Sequence, residues 1–180
     1  MNCIVCHSAP VSHSTKIDGQ TYWRCVECHS IFLDQTHYPS ACEERAHYQK
    51  YDNRIDDPAC RKFLWRLLKH LMPLLKPRGQ GLEFGCGLGP ALAAMLSEQG
   101  QSMTLYDPFF HPDEPALMAR YDFITCNETA EHFHDPFAEF NRLDNLLKPQ
   151  GYPGVMTCFS TQRYNVENCH YRRDPKNVIF

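Results

Sequence analysis

Two C-x2-C pairs, Cys3/Cys6 and Cys25/Cys28, open the chain with 18 residues between them. No other feature narrows the possible folds as much. Each pair can sit on its own turn, and two such turns present four thiolates in the tetrahedral arrangement that suits Zn²⁺. Iron fits the same donor set. His7 and His29 each follow the second cysteine of a pair and offer alternative ligands. The paired spacing ranks the four cysteines first. Four thiolates leave no open coordination position, so the expected role is structural. Between the pairs runs "KIDGQTYWRC", whose Asp18-Gly19 is a hairpin signal. Strand, turn and strand between two metal knuckles predict a zinc ribbon over residues 1–33. A segment that short has too little core to fold alone, so the metal is expected to supply much of its stability.

The chain has 180 residues and 43% apolar content, enough for one main domain beside a small accessory one. A net charge of −3 disfavours a protein that coats nucleic acid or anionic lipid. No apolar run approaches the ~20 residues that span a bilayer. The N-terminus lacks the basic flank and apolar stretch of a signal peptide. A cytoplasmic chain without membrane partners is the expectation. Its ten cysteines then read as metal ligands and free thiols.

Residues 34–58 are polar and mixed in charge and read as a bridge. Ser40 and Glu43 form a capping-box signature for a helix to about Lys50. Next, Phe63, Leu67, Leu68, Leu71 and Leu75 recur at helical spacing. They predict an amphipathic helix, kinked at Pro73, with Arg61, Lys62, Arg66, Lys69 and His70 on a solvated face.

From residue 80 the pattern alternates: "GLEF" strand, "PALAAMLSEQG" helix, "SMTLYD" strand, "YDFITC" strand, "DPFAEFNRLDNLLKPQG" helix, "PGVMTCF" strand. Asp135 is the expected N-cap of the last helix, and Phe137, Phe140, Leu143 and Leu147 its buried stripe. Such alternation predicts an α/β sheet of parallel strands over the third region, 59–180. Ligands of these sheets bind beyond the carboxyl ends of the strands, where Glu83, Asp107 and Asn127 fall. The loop after the first strand reads Gly85-x-Gly87-x-Gly89, with Pro90 where a dinucleotide fingerprint has its third glycine. That is poor support for a pyrophosphate site. An acid at the end of the second strand, Asp107, suits the hydroxyls of a ribose.

With these residues in view, positions 80–160 resemble class I S-adenosylmethionine-dependent methyltransferases. "LEFGCGLGP" is similar to their first motif, "LYDP" to their ribose-binding acid, "YDFITCNETAEHF" to their fourth-strand motif and "LLKPQGYPGVM" to their fifth strand. With the knuckles and a later "HYRRDP", the whole chain resembles small bacterial zinc-ribbon methyltransferases. The resemblance implies a Rossmann-like sheet preceded by the ribbon, and S-adenosylmethionine as cofactor. It implies that Gly85 and Gly87 pass the methionine moiety, that Glu83 helps shape that pocket and that Asp107 binds the ribose; Gly89 and Asn127 complete the candidate cofactor-binding set. His132 and His170 are the candidate general bases, ahead of His134 and Tyr171. Glu128, Glu131 and His132 resemble the E-x-x-E-H of some O-methyltransferases, which implies a second divalent ion there. Only 13 residues separate Asp107 from Tyr121, where the family has a third strand. The family's last two strands would fall about where the chain stops, so the sheet is expected to be incomplete at its C-terminal side. The expected acceptor is a small molecule. An RNA acceptor docked by the ribbon, or a fold that no longer turns over, are the alternatives.

Overall fold

The computed structural model describes residues 1–50, 54–158, 166, 172, 174 and 176–180. Its elements in chain order are β1 (Val11–Ile17), β2 (Gln20–Cys25), β3 (Ile31–Leu33), α1 (Ala41–Tyr48), α2 (Pro58–Leu71), β4 (Gln80–Phe84), α3 (Ala91–Glu98), β5 (Ser102–Tyr106), β6 (Tyr121–Asn127), α4 (Pro136–Leu146) and β7 (Leu147–Met156). Two compact units emerge. One comprises Met1–Glu44, Ala130–Asn141 and Thr157–Phe180; the other comprises Arg45–Thr129 and Arg142–Met156. No helix among the described residues is long and apolar enough to cross a membrane.

The first unit is built on an antiparallel sheet in the order β1-β2-β3. Asp18 (φ 51°) and Gly19 (φ 84°) both lie in the left-handed region, as a two-residue hairpin turn that follows the strand twist requires. β3 is too short to show a period, and sequence reasoning left it out. Its backbone pairs with the last residues of the chain. The Ile31 and Phe180 amides exchange hydrogen bonds at 3.1 and 2.7 Å, and the Leu33 N–H donates to the Val178 carbonyl at 2.8 Å. Tyr22, Ile31, Leu33, Val166, Val178 and Phe180 close a small core there. Before α1, the Ser40 N–H donates to Glu43 Oε2 (2.8 Å) and the Glu43 N–H to Ser40 Oγ (3.4 Å), the reciprocal bonds of a capping box.

The second unit holds a parallel sheet in the order β5-β4-β6-β7. Leu64, Leu68 and Leu71 of α2 pack with Ala91, Leu92, Met95 and Leu96 of α3 against Phe123 of β6. A Cβ on Gly81 would collide with the Phe123 ring, so glycine is what lets that ring approach β4 so closely. The buried face of α2 is therefore Leu64, Leu68 and Leu71, while Phe63 is 37% exposed. Nor does α2 bend at Pro73. It stops at Leu71 and gives way to a 3-10 turn, Met72–Leu74, because Pro73 has no N–H to continue the ladder.

In α4, Leu143 and Leu146 are buried, but Phe137 and Phe140 are each 40% exposed. Leu147 already belongs to β7, so the stripe read from the sequence ends one turn early. Phe137 stacks on His7 (centroids 4.1 Å apart) and Phe140 meets Phe133 edge-on. Asp135 caps the helix as expected, accepting from the Ala138 N–H at 3.0 Å. Between Asp107 and Tyr121 the chain makes a 3-10 turn, Glu114–Leu117, and no strand. β5 is therefore an edge of the sheet.

Candidate functional site

The two knuckles converge. Cys3 Sγ lies 3.7 Å from Cys28 Sγ and Cys6 Sγ 3.7 Å from Cys25 Sγ, and all four sulfurs lie within 4.8 Å of one another. A tetrahedron with metal–sulfur bonds near 2.3 Å has edges of about 3.8 Å, so the spacing fits one zinc ion. The turns are alike. The residue after each second cysteine is left-handed, His7 at φ 55° and His29 at φ 61°. Backbone N–H groups point at sulfur: Val5 to Cys3 Sγ at 3.3 Å, and Glu27 and Cys28 to Cys25 Sγ at 3.4 Å each. Such donors favour thiolates. His7 turns away, its Nε2 3.6 Å from Asp135 Oδ1. Among the described residues the four cysteines are the one group of three or more His, Cys, Asp or Glu whose ligand atoms gather.

Glu128, Glu131 and His132 form no such group, and the second divalent ion expected there is unsupported. The Glu131 carboxylate accepts from the Thr157 hydroxyl at 2.9 Å. His132 Nδ1 lies 3.1 Å from the Lys176 carbonyl oxygen, which can only accept, so Nδ1 is the donor of this contact. His170 and Tyr171 lie outside the described residues.

The second unit carries a different site. The chain steps outward from β4 to β5, then returns past β4 to β6. The sheet order thus reverses between β4 and β6, and the crevice beyond their carboxyl ends is the ligand position in folds of this kind. Gly85–Gly89 follow β4 and Asn127–Thr129 end β6. Gly85 (φ 75°) and Gly87 (φ 62°) take conformations that other residues resist. The loop is held down by the end of β5. The Gly85 and Cys86 N–H groups donate to the Tyr106 carbonyl (2.8 and 3.3 Å), and the Gly87 N–H to Asp107 Oδ2 (3.0 Å). Asp107 Oδ1 also accepts from the Phe109 and Phe110 N–H groups at 2.8 and 3.0 Å.

Glu83 is buried, and its Oε2 accepts from the Ala93 N–H at 2.7 Å. This cap is needed because Pro90, at the N-cap of α3, has no side-chain oxygen to offer. The Glu83 carboxyl group therefore already occupies the positive end of α3, and three successive loop amides are engaged by Tyr106 and Asp107. A pyrophosphate would find these three amides engaged and the helix terminus occupied. The crevice presents acceptors instead. Asn127 Oδ1 is buried without a hydrogen-bond partner at the end of β6. Thr129, which sequence reasoning missed and no motif marks, donates from its hydroxyl to the Asn127 carbonyl (2.9 Å) and lies 3.3 Å from the Gly85 carbonyl. It ties the two loops together.

Burial pushes the Glu83 carboxyl up to about 7, with the Ala93 N–H pulling the other way. A carboxyl raised in the folded state keeps its proton there while the unfolded chain ionises. Stability is therefore full below the ordinary carboxyl value of about 4.3 and is lost as pH climbs to about 7. The loss is on the order of 3 kcal/mol. Glu83→Gln keeps the acceptor for Ala93 and removes the titration. The variant should match the wild type at pH 5 and exceed it at pH 8 in urea unfolding. A constant difference between the two across that range would refute the assignment.

Residues 48–177, well over half of the chain, match the model of a family described as a methyltransferase domain. Among solved structures, the chain is similar to the PH0226 protein from Pyrococcus horikoshii OT3, at 17% identity and a TM-score of 0.37. That alignment covers 59% of this chain and 63% of the other. No curated protein shows a significant match. A parallel sheet with its order reversed at the glycine loop, together with the family match over residues 48–177, settles the family: the chain belongs to the methyltransferase domain family.

Proposed function

We propose that the chain transfers a methyl group from S-adenosylmethionine to a small-molecule acceptor, with a structural zinc ion in the ribbon. The observation that carries this reading is the character of the crevice. Glu83, Asp107 and the unpartnered Asn127 Oδ1 are all acceptors. Acceptors of this kind select a ligand that brings donors and positive charge: ribose hydroxyls, an ammonium group and a sulfonium. Phosphate is disfavoured. Asp107 would hold the ribose. Gly85 and Gly87 would let the backbone pass the methionine portion, and Asn127 would accept from its ammonium group. When bound, the cofactor supplies an electrophilic methyl carbon. The residues of the chain bind, orient and exclude water.

Calorimetric titration of the full chain with S-adenosylmethionine tests this directly. Asp107→Ala should weaken binding by more than about tenfold, the value of one charged hydrogen bond to a hydroxyl. Asp107→Asn keeps an oxygen for the turn at Phe109 and Phe110 but sets its amide NH2 against the Gly87 N–H, and should also bind weakly. Unchanged affinity in both variants, or no binding by the wild type at high micromolar concentration, would overturn the reading. A second reading, an RNA acceptor, is favoured by one feature of α2.

A further inference from the structure

α2, "PACRKFLWRLLKHL", contains no acidic residue, although the whole chain carries a net charge of −3. Its apolar stripe is closed into the core. Its opposite face displays Lys62, Trp65, Arg66 and Lys69, all exposed, at positions i, i+3, i+4 and i+7 of one stripe. Trp65 is 49% exposed. The one ion pair that α2 makes among the described residues is Arg61 with Glu98, at the edge of this face. Among the described residues, Lys62, Arg66 and Lys69 pair with no acid. The Arg66 guanidinium covers the neighbouring Phe63 ring at 5.5 Å from its centroid, which leaves Trp65 as the open aromatic surface.

We propose that this face of α2 docks single-stranded RNA, with Trp65 stacking on a base and Lys62, Arg66 and Lys69 contacting phosphates. From Lys62 to Lys69 the stripe runs about 10 Å along the helix, the reach of a few nucleotides of one strand. A ring standing off a helix can stack only on a base that is already unstacked from a partner strand, which selects single strands over duplex. An anionic membrane is the weaker fit. Helices that lie in a bilayer interface bury their apolar stripe in it, and here Leu64, Leu68 and Leu71 are committed to the core.

The test is fluorescence anisotropy of a labelled mixed-sequence 20-nucleotide RNA with the full chain, without cofactor, so the outcome is independent of methyl transfer. Trp65→Ala and the triple variant Lys62→Glu, Arg66→Glu, Lys69→Glu should each weaken binding at least tenfold. Trp65→Tyr, which keeps a stacking ring, should retain most of it. The wild-type salt dependence should show a log–log slope of about −2, as three phosphate contacts on a single strand require. No wild-type binding, equal binding by the wild type and the triple variant, or equal binding by Trp65→Ala and the wild type would each overturn the proposal. So would RNA-independent capture by phosphatidylserine vesicles that the triple variant abolishes. Matching thermal melts verify that these solvent-face changes leave the fold intact.

Discussion

Cys25→Ser is expected to abolish zinc binding at the four-cysteine cluster and to unfold the ribbon sheet. Cys25 is fully buried and sits in the small cluster of Cys3, Ile4, Ala9 and Phe32, so the ligand set and the core of this segment are largely the same atoms. Two backbone N–H groups aim at its sulfur. A serine hydroxyl is a poor zinc ligand and would be buried where a thiolate was. Structural zinc supplies about 10–16 kcal/mol in zinc-finger peptides, as much as the whole stability of an ordinary domain. Losing even a third of that lowers the melting temperature by roughly 10 °C in a chain of this size. Mass spectrometry under native conditions should find one zinc per wild-type chain and none in the variant. Cys42→Ser is the control, because Cys42 is exposed and outside the cluster. One equivalent of zinc retained by Cys25→Ser would refute the four-thiolate site.

What could be read in advance was local. The knuckles, the Asp18-Gly19 turn, the Ser40–Glu43 box and the Asp135 cap each depend on residues within a few positions of one another. The glycine loop and the acid one strand later are also short-range patterns, because a strand–helix–strand unit fixes their distance. The pairing of β3 with residues 178–180 was not legible. It joins segments almost 150 positions apart, and a three-residue strand has no period to announce it. The stripe of α2 is legible at Leu68 and Leu71, which are buried, and fails at its first position alone, where Leu64 and not Phe63 is buried. Phe63 and Leu64 both satisfy an apolar stripe, and only the packing of α3 and Phe123 decides which turns inward.

The site shows the same division. Glu83 and Asp107 were visible as acids at strand ends, but their partners were not. That Glu83 caps α3 follows from Pro90 having no capping oxygen, a deduction the sequence permits in hindsight and does not compel. That Asp107 fastens Gly87 depends on how β5 lies beside β4. The step from Gly85 to Thr129 is wholly tertiary, since nothing in "NETAEH" marks its third residue as the tie between two loops.

That tie makes Gly85→Ala the most damaging single change to cofactor binding. A Cβ at Gly85 would collide with Thr129 Cγ2, lie 2.5 Å from Thr129 Oγ1 and lie 2.9 Å from Thr129 Cβ. Thr129 cannot swing aside freely. Its hydroxyl is bonded to the Asn127 carbonyl, and a β-branched side chain has few rotamers. The left-handed backbone at Gly85 adds about 1–2 kcal/mol against any side chain. The cheapest relief is for the β4 and β6 loops to part, which moves Gly87 off Asp107 and displaces Asn127. Binding of S-adenosylmethionine should therefore fall by about a hundredfold, equivalent to 2.7 kcal/mol. The core that holds α2 and α3 contains neither residue, and its melting should move little. Thr129→Ala removes Cγ2 and Oγ1 and leaves only the 2.9 Å contact. Added to Gly85→Ala, it should return a large part of the lost affinity, although alone it loosens the tie and weakens binding. A positive coupling between the two substitutions in calorimetry is the signature of the clash. Simple additivity would show that the left-handed backbone of Gly85, rather than its closeness to Thr129, is what the crevice requires.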